Sequence, residues 1–154
     1  MQTVGKVIKS FRTDLKEIYP DSEIQAITEL VFEHFFNYSK TDLVIKSEHL
    51  LDETHIAKIE QVLARLKKHE PIQYIIGQTD FYNCTFKVNN KVLIPRQETE
   101  ELVDWIISEH HNISNPKILD IGTGSGCIAI SLAFNLLKSN VFAYDISESA
   151  LEVA

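Results

Sequence analysis

The sequence predicts an α/β protein in three parts: an N-terminal helical bundle over residues 1–70, a linking β-hairpin over 71–95, and the first part of a doubly wound parallel sheet over 96–154. Three observations predict it. Apolar residues recur at helical spacing through the first part. Pro71 then opens a run of short β-prone stretches that ends at Pro95. Finally, Lys117 to Ala133 reads as a buried strand, a three-glycine turn and a helix.

In the first part, Val4, Val7, Ile8, Phe11, Leu15 and Ile18 predict an amphipathic helix from Thr3 to about Tyr19, ended by Pro20. Asp21 and Ser22 are offered as caps of a second helix with Ile24, Ile27, Leu30, Val31, His34 and Phe35 on its inner stripe. His34 is expected at the core edge. Thr41 to Ile45 predicts a single short turn, and a third helix runs from about Asp52 to His69 with Ile56, Ile59, Val62, Leu63 and Leu66 inward. Lys67, Lys68 and His69 at its end complement the helix dipole.

In the second part, Asn89-Asn90 separates Asp80–Val88 from Lys91–Pro95 and is expected to be the hairpin turn, since asparagine tolerates positive φ. Thr99 is expected to cap the next helix, whose apolar face would hold Leu102, Val103, Ile106 and Ile107. Glu98, Glu100 and Glu101 suit its positive end better than they suit a paired-carboxylate site. Adjacent His110 and His111 cannot share a helical face for one metal, and no metal is expected.

The glycine unit carries the functional signal. Ile118, Leu119 and Ile121 form the apolar run of a strand covered on both faces. Gly122, Gly124 and Gly126 come next at alternate positions, where the chain must turn sharply and a ligand can approach the main chain. The next helix, to about Leu137, points its free amides at that turn. A dinucleotide fingerprint would place its third glycine at Cys127, which instead reads as a small residue packing the first helical turn. Val141–Tyr144 then predicts a second strand closed by Asp145, a carboxylate able to take two ribose hydroxyls, and Ser147 is expected to cap a helix from Glu148 onwards.

Bulk properties exclude several classes. The composition is that of an ordinary globular protein, and a net charge of −7 argues against non-specific nucleic-acid binding. Cys84 and Cys127 lack disulfide-scaffold or metal-ligand spacing and suit a reducing cytoplasm. No stretch has signal-peptide or membrane-spanning character, so no membrane partner and a cytoplasmic location are expected.

The run Asp120-x-Gly122-x-Gly124-x-Gly126 resembles the first motif of class I (Rossmann-like) S-adenosyl-L-methionine-dependent methyltransferases. Together with Glu70-Pro-Ile-Gln-Tyr-Ile-Ile-Gly77, Phe81-Tyr-Asn and Leu93-Ile-Pro-Arg-Gln-Glu-Thr-Glu100, it resembles the HemK-type glutamine methyltransferases. Gln97 stands where that family usually has a second proline. The resemblance implies methylation of the glutamine amide nitrogen in the Gly-Gly-Gln loop of peptide chain release factors, with S-adenosyl-L-methionine as cofactor. It places Gly122, Thr123, Gly124, Ser125 and Gly126 around the methionine and ribose, Asp145 on the ribose hydroxyls and Asp120 in support of the loop. Residues 1–70 would recognise the release factor.

The family's amide-gripping Asn-Pro-Pro-Tyr motif does not occur in these residues and is expected beyond Ala154, so no catalytic residue is named and the chain alone is expected to be inactive, a weak cofactor binder and prone to self-association. Three other readings stay open. They are a methyltransferase for another protein or a nucleic-acid amine, a dinucleotide binder, and a non-enzymatic helical interaction module.

Overall fold

The computed structural model describes residues 2–154, and the chain divides into two compact units between Ile76 and Gly77. The segment expected as a linker is therefore shared out, Pro71–Ile76 to the first unit and the hairpin to the second.

The first unit contains β1 (Gln2–Thr3), α1 (Val4–Leu15), α2 (Asp21–Phe36), α3 (Lys40–Ile45), β2 (Leu50–Leu51), α4 (Glu53–Leu66) and α5 (Ile72–Ile76). Local chemistry fixes the helix starts. The Thr3 hydroxyl accepts from the Lys6 amide, Asp52 from the His55 amide, and Ser39 with Asp42 forms a reciprocal capping box. At α2 the cap position falls to Pro20, so Asp21 and Ser22 lie inside the first turn. There the Asp21 carboxylate takes both the Nε (3.0 Å) and the Nη2 (2.6 Å) of Arg12. Asn37 ends α2 in the left-handed conformation at φ 53°.

The core of this unit follows from the spacing. Val4, Val7, Phe11 and Leu15 of α1 pack with Ile24, Ile27, Val31 and Phe32 of α2 and with Ile59, Val62, Leu63 and Leu66 of α4. Leu30, expected inside, is 39% exposed, while His34 and Phe35 sit at the edge in ring contact. Arg65 ties α5 to α4. Its guanidinium grips the Glu70 carboxylate and donates to the carbonyls of Tyr74 and Ile75 (both 3.2 Å), filling acceptors at the end of a short helix.

These carboxylates make the unit acid-sensitive. The Lys46 ammonium and the Ser39 hydroxyl and amide hold Asp42 down to about 2, and Arg65 holds Glu70 below the usual glutamate range. Both folded values are depressed. Their stabilisation is therefore complete above the ordinary carboxylate range and is lost as pH falls through the folded values. The thermal midpoint, followed by circular dichroism, is expected to fall between about pH 4.5 and pH 2. Asp42→Asn should lower the midpoint at pH 7 and flatten this acid limb. An unchanged limb in the variant would rule the assignment out.

The second unit contains β3 (Gln78–Phe81), β4 (Cys84–Lys87), α6 (Gln97–His110), β5 (Lys117–Ile121), α7 (Cys127–Asn135), β6 (Asn140–Tyr144) and α8 (Glu148–Leu151). The hairpin turns earlier than the sequence suggests. Phe81 pairs with Cys84, which makes Tyr82-Asn83 the two-residue loop, both at positive φ (46° and 60°). This register sends Phe81 and Phe86 into the core and leaves Asp80 and Thr85 hydrogen-bonded on the solvent side. Asn89-Asn90 forms a local turn after β4, with the Asn89 side chain accepting from the Lys91 amide, and residues 91–95 form no strand.

Helix α6 begins at Gln97 with Arg96 as its cap, so Thr99 lies in the first turn, its amide bonded to the Arg96 carbonyl at 3.0 Å. Gln97 thus occupies the first helical position, where proline is favoured because no amide partner is needed. β5 and β6 pair in parallel, joined through α7. Val103, Leu132 and Leu136 pack with Ile118 and Val141 on one sheet face. The other face is open: Leu119, Ile121, Phe142 and Tyr144 are 57–73% exposed, so the expected covering of both faces is not observed.

Candidate functional site

The site forms where β5 runs through the glycine turn into α7. Each glycine has a positive φ, but they serve different ends. A β-carbon built on Gly122 or Gly124 would meet no atom within 4 Å, so these two leave open space above the main chain. At Gly126 it would lie 3.0 Å from Ile130 Cδ1 and 3.3 Å from the Ala154 side chain. Gly126 therefore closes the loop onto the helices, and only the first two glycines face a volume that a ligand can enter.

The turn is tied to the end of β6. The amides of Gly122 (2.7 Å) and Thr123 (3.1 Å) both donate to the carbonyl of Tyr144. One residue later, the Gly124 amide donates to Asp145 Oδ2 and the Ser147 amide to Asp145 Oδ1, each at 2.9 Å. The two amides from Ser147 and Gly124 hold the Asp145 carboxyl below its ordinary range, so it is anionic at neutral pH. Each carboxylate oxygen has two lone pairs and has spent one here, which leaves acceptor capacity beside the open face of Gly122 and Gly124. Parallel pairing brings Asp145 to the loop: Ile121 opposite Tyr144 puts the ends of both strands side by side.

The hydroxyl residues of the turn point inward. Thr123 is buried and donates to Asp120 Oδ2 at 2.7 Å, a direct brace between strand and loop. Ser125 is buried too, with its hydroxyl against the Cys127 thiol. What these two residues can offer a ligand is main chain. Burial pushes the Cys127 thiol up, outweighing the pull of Ser125 and of the Ile128 amide, so it stays protonated and inert at neutral pH. Cys127 packs in the core with Val103 and Leu132, as a small apolar residue would.

One network escapes the sequence reading. Glu100 accepts the Tyr82 amide at 2.8 Å, and Asp104 accepts the Tyr82 hydroxyl at 2.9 Å. These two acids, Glu100 legible in sequence only as a helix-end charge, lock the strained tip of the hairpin onto α6. The partners lie 18 and 22 residues apart, beyond the reach of any local pattern. The imidazoles of His110 and His111 are each bonded through Nδ1 to carbonyls of α6, of Ile106 and Ser108 respectively. Among the described residues no group of three or more His, Cys, Asp or Glu could hold a metal ion, and no helix is long and apolar enough to cross a membrane.

Comparison with known proteins divides along the same line as the structure. Residues 6–77 match the PrmC N-terminal domain, and residues 98–154 match the ribosomal protein L11 methyltransferase (PrmA) family. The release factor glutamine methyltransferase of Flavobacterium psychrophilum is 48% identical, over 96% of this chain and 54% of its own length. That of Bacteroides thetaiotaomicron is 42% identical, over 98% of this chain and 54% of its own length. A bifunctional methyltransferase of Rickettsia conorii is 38% identical, over 99% of this chain and 34% of its own length. The chain spans about half the length of the release factor glutamine methyltransferases it matches. The similarity extends through both units, and over nearly its whole length the chain is similar to the release factor glutamine methyltransferases, at 42–48% identity to the two named above.

Proposed function

We propose that this chain forms the substrate-recognition unit and the cofactor-binding start of a class I, Rossmann-like methyltransferase that modifies the Gly-Gly-Gln glutamine of peptide chain release factors at its amide nitrogen. The observation that carries the cofactor assignment is the Asp145 carboxylate bonded to the Gly124 amide beside two glycines whose β-side is open. That arrangement fits S-adenosyl-L-methionine. Gly122 and Gly124 would let it lie against the main chain, and Asp145 would accept from its ribose hydroxyls with the lone pairs not already in use. Bound there, the cofactor supplies a methyl group on a sulfonium, an electrophile with no need of a metal.

The residues of this chain hold and orient. The anionic Asp145 fixes the ribose end, while the Thr123–Asp120 brace keeps the loop from shifting as the ligand enters. An amide nitrogen is a weak nucleophile, so placement and hydrogen-bond acceptors for its N–H groups must supply most of the rate. No Asn-Pro-Pro occurs in these residues, and the grip on the amide is assigned to the longer protein of the family. Residues 2–76 are assigned to release-factor recognition. The match of residues 98–154 to a ribosomal-protein methyltransferase keeps another protein acceptor as the second reading.

Isothermal titration with S-adenosylhomocysteine and with NAD tests the cofactor class. Weak but saturable binding of the first, abolished in Asp145→Ala, with no response to NAD, is the expected result; NAD binding in preference would overturn it. Mass spectrometry of a release factor incubated with the longer protein and S-adenosyl-L-methionine tests the acceptor. A gain of one methyl group on the Gly-Gly-Gln glutamine is expected, and methylation only at other sites would refute that substrate.

A further inference from the structure

Between Gln97 and His110, helix α6 carries Glu98, Glu100, Glu101, Asp104 and Glu109 and no lysine or arginine. Glu100 and Asp104 work inward, on Tyr82. The other three lie elsewhere. At the helical repeat Glu98, Glu101, Leu102, Trp105 and Glu109 share one side of the cylinder, opposite the fully buried Val103. Leu102, expected in the core, is 42% exposed, and Trp105 is 64% exposed. An exposed indole is the least ordinary feature of this surface, since tryptophan carries the largest apolar area a partner can bury.

The surroundings of that indole decide what fits it. Trp105 Nε1 donates to Glu109 Oε1 at 3.4 Å, which sets a carboxylate at the ring edge one turn along. Glu101 stands one turn back. Among the described residues no lysine, arginine or histidine pairs with Glu98, Glu101 or Glu109. An aromatic face flanked by unneutralised carboxylates is complementary to a guanidinium or ammonium group, which can stack on the ring while its N–H groups reach the acids. It is the opposite of what nucleic acid or an anionic membrane needs. A second copy presenting the same face would set acid against acid across a two-fold axis.

We infer that the outward face of α6 is a docking surface for a basic polypeptide segment, with Trp105 as its aromatic anchor and Glu98, Glu101 and Glu109 as its cation partners. This does not depend on the methyltransferase assignment, because α6 presents the face whatever the glycine turn binds.

Trp105 is the only tryptophan in the chain, so its fluorescence reports the surface directly. The full chain would be titrated with a short peptide of alternating arginine and alanine, with a length-matched peptide of alternating glutamate and alanine, and with oligothymidylate. A saturable change in emission with the arginine peptide alone is expected. The double variant Glu101→Gln/Glu109→Gln should weaken it about tenfold or more, and Trp105→Ala, read by calorimetry, by a similar factor. Glu48→Gln/Glu60→Gln, which makes the same charge change on the other unit, should leave it within about twofold. Four results would overturn the inference: no emission change with the arginine peptide, equal weakening by both double variants, an equal response to oligothymidylate, or sedimentation showing self-association that Trp105→Ala abolishes.

Discussion

Asp145→Ala is expected to free the Gly124 end of the glycine turn, while its Gly122 end stays bonded to β6, and to abolish measurable affinity for S-adenosylhomocysteine. The carboxylate accepts from the amides of Gly124 and Ser147, both at 2.9 Å, so its removal takes two charge-assisted bonds from one corner of the unit. Hydrogen bonds to a charged acceptor are stronger than neutral ones, so each freed amide should open measurably faster. Hydrogen exchange read residue by residue measures this without any ligand present. The Gly124 and Ser147 amides should lose protection, whereas Gly122 and Thr123, bonded to the Tyr144 carbonyl, should keep most of theirs. Unchanged exchange at Gly124 would show that the carboxylate does not hold the loop. Asp145→Asn is the finer probe, because the amide retains one acceptor oxygen but turns a donor towards one of the two N–H groups. It should fall between wild type and alanine.

Phe11→Ala should be the most damaging single change in the helical unit. Phe11 is wholly buried, midway along the stripe Val4, Val7, Phe11 and Leu15 that α1 presents to α2 and α4. Emptying such a site costs about 3–5 kcal/mol, because the ring's transfer energy is lost and a cavity remains. A unit of this size has little more than that to lose, and each kilocalorie shifts the midpoint by roughly 4–8 °C. The midpoint at 222 nm is expected to drop by about 15 °C or more, with Phe11→Leu losing less than half as much. A drop below about 3 °C would mean that the stripe is not the centre of this core.

The legibility of the two units differs for a physical reason. Helices α1, α2 and α4 can be read because amphipathic spacing and the caps at Thr3 and Asp52 are local signals, complete within a few residues. The glycine turn can be read because strand, alternate glycines, helix and terminal Asp145 form a pattern that the chain writes consecutively. The hairpin turn is misplaced from sequence because it forms at Tyr82-Asn83, ahead of the Asn89-Asn90 pair that carries the local turn signal. What selects the first is the burial of Phe81 against Phe86, their rings 6.0 Å apart at 75°, and that is a packing fact. Leu102 is misassigned to the buried face of α6 because apolar residues on adjacent sides of a helix look alike in sequence. The orientation of the helix over Ile118 and Val141 separates them.

By itself, then, the sequence determined the helical first unit, the strand–turn–helix–strand order of the second, the resemblance to glutamine methyltransferases and the identity of Asp145 as the acid that closes β6. Only the tertiary structure decided which glycines face open space, that Thr123 and Ser125 turn inward, that Glu100 and Asp104 grip Tyr82, and that Trp105 stands outside. The difference is one of range. Periodicity, caps and turn residues act over a few neighbours and are recorded in the order of the chain, whereas which way a side chain faces depends on segments that meet only when the chain has folded.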